Sequence, residues 1–273
     1  CAAPRSGIDP GTARPFPDVA GTPLDEKNWL RSWSNDLYLW YSEIVDRDPA
    51  PYTVLGYFDL LKTTAMTASN RAKDRFHFTY ATSDWERLSQ SGVSAGYGAE
   101  WVIIASTPPR KVLVAYTEPN SPAADPMGAN LARGAEVLVV DNVDVVNDQT
   151  QAGIDTLNAA FFPSAVNETH TFTVRDLGAP TNRNITMTSV NVTSVPVQKV
   201  AKIATASGNV GYVLFNDHLA TAEQGLVNAV NQLNAGGGIN DLVLDIRYNG
   251  GGYLVIASEL AYMIAGAANA AGK

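Results

Sequence analysis

The chain has 273 residues, 45% of them apolar, and a formal net charge of −8. That is length enough for two or three compact units with an ordinary globular apolar fraction, while the acidic balance and the absence of any Lys/Arg run argue against a nucleic-acid partner. A single cysteine, Cys1, excludes an internal disulfide framework and a thiolate metal cluster, and no run of about eighteen apolar residues is present to span a membrane.

In chain order, Cys1 is followed by Ala2-Ala3 and no initiator methionine precedes it. This suits either a lipid-anchored exported protein or the start left by removal of an export signal; both readings place the protein outside the cytoplasm, in the periplasm or at the cell envelope. Residues 1–24 alternate Pro, Gly and polar residues without an apolar period and read as an extended arm. Residues 25–91 read as a helical unit. Trp29, Leu30, Trp33, Leu37, Trp40 and Tyr41 fall at steps of one, three and four, one face of a helix whose first turn holds Asp25 and Glu26. So aromatic a stripe is expected to be core. A second helix follows Pro51, with Val54, Leu55, Phe58 and Leu61 on one side, and residues 74–80 alternate aromatic and polar as an extended segment.

Residues 92–193 are richer in strand signals. Gly96 to Ile104 is a glycine-bearing loop entering a strand, and Lys111–Tyr116 is a second strand. Ser121-Pro122 opens a short helix. Residues 134–146 form a hairpin about Asp141-Asn142, Thr150–Phe161 is a helix, and Thr169–Arg175 and Asn184–Val192 are strands, making six strands and two helices. From residue 194 the pattern becomes strand (Asn209–Phe215), helix (Thr221–Leu233), strand, helix (Tyr253–Ile264), which predicts a parallel sheet with right-handed crossovers. Its second strand runs Leu242-Val-Leu-Asp-Ile-Arg-Tyr-Asn-Gly-Gly-Gly252 into a loop whose bare amides and following helix N-terminus form an anion site. Neither a third dinucleotide-loop glycine nor a Lys-Ser/Thr follows, which disfavours a nucleotide phosphate.

Residues 92–193 resemble a PDZ domain of the bacterial, circularly permuted kind. The resemblance rests on Tyr97-Gly98-Ala99, Pro119-Asn-Ser-Pro-Ala-Ala124 and Arg133-Gly-Ala-Glu-Val-Leu-Val-Val-Asp141. It implies that Tyr97, Gly98, Ala99 and Trp101 bind substrate, with the amides of Gly98 and Ala99 holding a peptide carboxylate and the strand 100–104 offering an edge. With Gly211-Tyr-Val-Leu-Phe215, Asp36-Leu-Tyr-Leu-Trp-Tyr41, Asp74-Arg-Phe76 and the glycine loop, the chain after about Asp25 is similar to the C-terminal processing, or tail-specific, serine peptidases. The implied fold class is multidomain α+β: the helical unit, the PDZ-like domain, and in 194–273 the first part of an α/β catalytic domain of the ClpP/crotonase kind. The implied activity is endopeptidase cleavage of exported or misfolded proteins by a Ser-Lys dyad, on polypeptides with free C-termini and with no cofactor. Gly251 and Gly252 are the expected oxyanion donors.

The family's nucleophile and lysine lie downstream of the glycine loop and have no counterpart in 253–273, so this segment alone is expected to be inactive. The alternative is a non-catalytic PDZ peptide-binding protein or an inactive truncated homologue. Ser258 reads as a helix-surface serine. His77, His170 and His218 lack zinc-ligand spacing; some members of the family the chain resembles add a histidine to the catalytic set, a role His77 suits best of the three, but His77 is expected to pack among aromatics on its strand. Asp245 and Arg247, on one face of their strand, are expected to form a buried ion pair ordering the glycine loop. Asn167, Asn184 and Asn191 head formal glycosylation sequons that read as coincidental.

Overall fold

The computed structural model describes residues 1–9 and 13–272, so the expectation of an arm at residues 10–12, and anything expected of Lys273, lies outside the described residues. The chain divides into two compact units, Cys1–Ala81 and Thr82–Lys273.

In the first unit the arm carries a two-residue pair, β1 (Ile8–Asp9) with β2 (Arg14–Pro15), and Cys1 is exposed and unpaired with any other cysteine. Helix α1 (Pro23–Leu37) starts where a capping box allows it: Asp25 N–H donates to Thr22 Oγ1, and Asp25 Oδ2 accepts from Thr22 N–H at 2.7 Å. It stops at Leu37, and Trp40 and Tyr41 fall beyond it, Tyr41 opening a 3₁₀ turn. The expectation of an aromatic core stripe is corrected here. Trp29 is 57% and Trp33 50% exposed, stacked on each other at 4.7 Å, and Leu37 and Tyr41 are exposed too. The buried residue of α1 is Lys27, whose Nζ donates to the carbonyls of Ala50 and Tyr52 at 3.1 and 2.6 Å. At α2 (Val54–Leu60) Leu61, just past its end, is buried and Val54 and Phe58 half-buried as predicted, but Leu55 is exposed and Tyr57 turns inward in its place.

The second unit begins with α3 (Thr82–Ser91), ten residues ahead of the expected change of texture at Gly92. β3 (Val93–Gly96) pairs with β10 (Val190–Thr193). Between them lies a sheet of order β4-β5-β6-β8-β9, with β7 paired to β6. Its strands are β4 (Ala99–Ala105), β5 (Lys111–Thr117), β6 (Glu136–Val140), β7 (Val143–Asp144), β8 (Thr169–Arg175) and β9 (Arg183–Thr188). The hairpin turns on Asp141 and Asn142, both at positive φ of 48° and 68°. Helix α4 (Gln151–Phe161) is capped by Thr150, whose side chain accepts from Gly153 N–H. Residues 92–193 thus hold eight strands and one helix instead of six and two. Ser121-Pro122 opens a turn and no helix, although Ser121 Oγ still accepts from Ala124 N–H at 3.4 Å. The predicted strand 184–192 is broken at Ser189, whose buried hydroxyl donates to Ala165 O.

The last part is a three-stranded sheet, β11 (Val197–Thr205), β12 (Gly208–Phe215) and β13 (Asp241–Asp245). β12 and β13 are parallel as predicted; β11, absent from the sequence reading, is antiparallel to β12. Helices α5 (Ala222–Asn234) and α6 (Leu254–Ala270) cover one face of this sheet, with Val213, Phe215, Leu226, Leu233, Ile256 and Leu260 as the core.

Tyr97 belongs to the other core. It is 2% exposed, lies edge-on to Phe172 at 5.7 Å, and its hydroxyl is buried with no partner among the described residues. Burial pushes that phenol far above its ordinary range. Removing an unpaired buried hydroxyl relieves its desolvation, so Tyr97→Phe is expected to leave stability unchanged or raise it by about 1 kcal/mol in urea unfolding. A loss of more than about 1 kcal/mol would mean that the hydroxyl is hydrogen-bonded.

Candidate active site and peptide groove

The glycine loop leaves β13 at Asp245 and enters α6 at Leu254. Its base is the predicted acid and base pair, closed in a bidentate manner: Arg247 Nε donates to Asp245 Oδ1 at 2.9 Å and Arg247 Nη2 to Oδ2 at 2.5 Å, while Tyr212 on the neighbouring strand donates its hydroxyl to Oδ2 at 2.7 Å. These donors hold the Asp245 carboxyl far below the usual carboxylate range. The pair is buried on one side only, because the Arg247 side chain is 58% exposed and reaches back over Tyr248, 5.8 Å from its ring centre. Tyr248 also meets the Tyr116 ring at 5.2 Å and the Arg133 guanidinium at 5.4 Å.

Asn249 then folds its side chain back into the loop. Its Nδ2 donates to Phe215 O at 3.1 Å, and its Oδ1 accepts from Gly251 N–H at 2.9 Å and from the His218 imidazole at Nδ1, 2.8 Å away. His218 closes the loop from the other side: its N–H donates to Gly251 O and its carbonyl accepts from Tyr253 N–H, both at 2.8 Å. Gly251 and Gly252 have φ of 95° and 127°, a region that glycine alone enters without strain. Gly252 is doubly constrained, because a Cβ there would sit 2.5 Å from His218 O.

The two expected oxyanion donors therefore differ. The Gly251 N–H is engaged by Asn249, whereas the Gly252 N–H has no partner among the described residues and points from a loop followed directly by a helix N-terminus. His218 and Asn249 were not singled out as site residues from sequence. The available signal was an Asn directly ahead of three glycines, since an Asn side chain readily bonds the backbone two residues on. Nothing local announces His218, which the parallel pairing of β12 and β13 brings to the loop.

A concavity of about 240 Å³ lies between the edge strand β4 and α4. Trp101 and Ile103 line it from β4, Ile154, Leu157 and Phe161 from α4, and Arg110 stands at its rim. Trp101 Nε1 donates to Phe161 O at 3.2 Å, which ties the last turn of α4 to the strand. Of the four residues expected to bind substrate, Trp101 lines the groove; Tyr97, Gly98 and Ala99 do not. Gly98 has a packing role as well: at φ 74°, a Cβ on it would lie 2.3 Å from Ser121 Cβ, and its carbonyl accepts from Glu118 N–H at 2.7 Å.

The remaining candidates are dispersed. His77 stacks on Phe58 at 4.2 Å and meets Tyr38 edge-on at 5.1 Å, its Nε2 buried and unpaired, and burial holds its pKa below the ordinary value. His170 Nδ1 is bonded to Asp141 Oδ2 at 2.5 Å, and Ser258 is exposed on α6. Among the described residues no cluster of three His, Cys, Asp or Glu is placed to hold a metal ion, and no helix is long and apolar enough to cross a membrane.

No curated protein matches the chain. Two solved structures are similar at 18% identity each: a candidate S41 protease from Bacteroides fragilis NCTC 9343, with a TM-score of 0.45 and coverage of 89% of this chain and 58% of that one, and a photosystem II D1 C-terminal processing protease, with 0.44, 89% and 65%. The chain thus spans about three-fifths of the length of these two structures. Residues 209–270, from β12 through the glycine loop and α6, match the model of Peptidase family S41.

Proposed function

We propose that the chain forms part of a serine endopeptidase of the C-terminal processing type. The carrying observation is the glycine loop: an unpaired Gly252 N–H, held by His218 and Asn249 at a helix N-terminus, within the segment that matches a peptidase family. A backbone donor aimed at the oxygen of a tetrahedral intermediate lowers the barrier to acyl transfer by about 3 kcal/mol. The nucleophile and its base come from residues outside this chain, a Ser-Lys dyad in this reading. The test is incubation of the full-length protein with an unfolded polypeptide. Internal cleavage, lost when the downstream serine is replaced, is expected; peptide binding without any cleavage would overturn the peptidase reading.

That outcome would favour the second reading, a non-catalytic peptide-binding protein, which the β4/α4 groove supports by itself. In both readings the groove accepts an extended peptide with an apolar side chain, added along the free edge of β4, and the amides of Gly98 and Ala99 take its terminal carboxylate. Trp101 fluorescence reports occupancy. Ile103 is 54% exposed, so Ile103→Glu leaves the core intact; it is expected to weaken binding of an apolar-ended peptide by about tenfold or more. Unchanged affinity in that variant, or binding indifferent to amidation of the peptide C-terminus, would remove the groove or the carboxylate site respectively.

A further inference from the structure

The groove between β4 and α4 is apolar along most of both walls, and among the described residues that line it Arg110 is the one that carries charge. Arg110 lies in the loop after β4, half-buried, and its backbone N–H donates to Val146 O at 2.8 Å. Its guanidinium bridges the two sides of the groove. Nε donates to Ser106 O at 3.1 Å, directly after β4, and Nη1 donates to Asp148 O, two residues ahead of the Thr150 cap of α4. Both acceptors are neutral carbonyls, so the positive charge has no counter-ion among the described residues. The carboxylates of Asp148 and Asp144 are spent elsewhere: Asp148 Oδ1 accepts from the N–H and the hydroxyl of Thr150, both at 2.8 Å, and Asp144 accepts from the N–H groups of Val146 and Asn147. A guanidinium is a planar fork of five N–H donors, and here both hydrogens on Nη2 are unspent. Pinned by two carbonyls, the side chain loses little further freedom when it takes a carboxylate.

We infer that Arg110 is a specificity-determining residue of the groove, selecting peptides that carry an acidic side chain upstream of an apolar C-terminus; the inference rests on the peptide-groove reading above. Strand direction gives the register. With the terminal carboxylate at Gly98 and Ala99, where β4 begins, the peptide runs antiparallel to β4 and its upstream residues pass Ser106, where β4 ends. At about 3.4 Å per residue, the seven residues of β4 set the Arg110 guanidinium beside a side chain about four to seven residues before the peptide C-terminus. The favoured ligand is therefore a polypeptide tail whose last residue is apolar and whose upstream carboxylate accepts from Nη2. The recognition is electrostatic and weakens as salt is added.

The test titrates labelled peptides against the full-length protein by fluorescence anisotropy. A single glutamate is moved through that range of positions ahead of an apolar C-terminus, and each peptide is compared with its glutamine counterpart. In the wild type, glutamate is expected to bind about fivefold more tightly than glutamine at one of these positions, with the advantage shrinking as salt is raised. Arg110→Gln keeps an NH₂ donor but no charge; it is expected to bind the glutamine peptide as the wild type does and to show no preference for glutamate. Equal affinities for the two peptides throughout, in a wild type that binds both, overturn the inference and leave the groove standing. That comparison alters only the peptide, so it decides the matter even where the variant is destabilised. A preference that survives Arg110→Gln gives the acid to another group and overturns the inference too. So does an Arg110 dependence abolished by amidating the peptide C-terminus, which would make Arg110 the receptor of the terminal carboxylate. Failure of every peptide to bind defeats the groove reading and this role together.

Discussion

Gly252→Ala is expected to destabilise the second unit by about 2–4 kcal/mol, the largest effect of any substitution in the glycine loop. Two costs combine. The backbone at φ 127° is strained for any residue with a Cβ, and the added carbon would lie 2.5 Å from His218 O, 2.9 Å from its carbonyl carbon and 3.0 Å from its Cβ. Those neighbours cannot withdraw, because the same residue donates to Gly251 O and accepts from Tyr253 N–H. Relief of the clash therefore breaks at least one hydrogen bond, worth about 0.5–1.5 kcal/mol, on top of about 1–3 kcal/mol of backbone strain. The two preceding glycines provide the controls. Gly251 has φ of 95° but open space where a Cβ would go, so Gly251→Ala carries strain alone, about 1–2 kcal/mol. Gly250 has neither a positive φ nor a neighbour within 4 Å, and Gly250→Ala should be within about 0.5 kcal/mol of wild type. Urea unfolding of the three variants should rank them 250, 251, 252. Equal stabilities for the first and last would mean that His218 does not hold the loop.

The same loop shows what the chain discloses locally and what it does not. Strand, three glycines and helix were readable because each signal lies within a few residues: the run 242–246, apolar but for Asp245, the glycines, and the helical apolar pattern after Tyr253. The hairpin at Asp141-Asn142 and the Thr150 cap were readable for the same reason. The difference between Gly251 and Gly252 was not, since it depends on His218, some thirty residues earlier, delivered by the register Leu214↔Asp245. Periodicity placed Trp29 and Trp33 on one helical face correctly, but a period identifies a face and not what covers it; the buried group of that helix is Lys27, which spends its charge on two carbonyls. Tyr97 was misplaced by an analogous limit. Its position ahead of Gly98 suits a binding loop, yet the Tyr97 carbonyl accepts from Ala123 N–H and the ring turns into the core. β11 was missed because its run 197–205 contains two lysines and alternates weakly, and its pairing with β12 is what makes it a strand.

Glu118→Ala is expected to cost about 2–4 kcal/mol, and Glu118→Gln within about 1 kcal/mol of wild type at neutral pH. Glu118 follows β5, is 8% exposed, and holds the lead-in to β11 with three bonds: Oε1 accepts from Ser194 Oγ at 3.1 Å, and Oε2 from Val195 N–H at 3.0 Å and Gln198 Nε2 at 3.1 Å. Alanine orphans the Ser194 hydroxyl and the Val195 backbone amide and leaves Gln198 Nε2 only the Thr117 carbonyl at 3.4 Å. Glutamine can present its oxygen to Val195 and Gln198 and donate its NH₂ to the Ser194 hydroxyl, which also accepts. Burial, only partly offset by these donors, raises the Glu118 pKa above its ordinary 4.5, so folding favours its protonated form. Its contribution is accordingly fully present below about 4.5 and is lost as pH rises through the higher folded value. The carboxylates held low by hydrogen bonds, Asp245 and Asp176 among them, run the other way, gaining with pH. The informative quantity is therefore the difference between wild type and Glu118→Gln, in which those groups cancel. Wild type should lose stability relative to the glutamine variant as pH is raised above 4.5. A difference that grows in favour of wild type would show that the three donors outweigh burial and that the carboxylate, not its shape, joins the β-rich sheet to the strand leading toward the glycine loop.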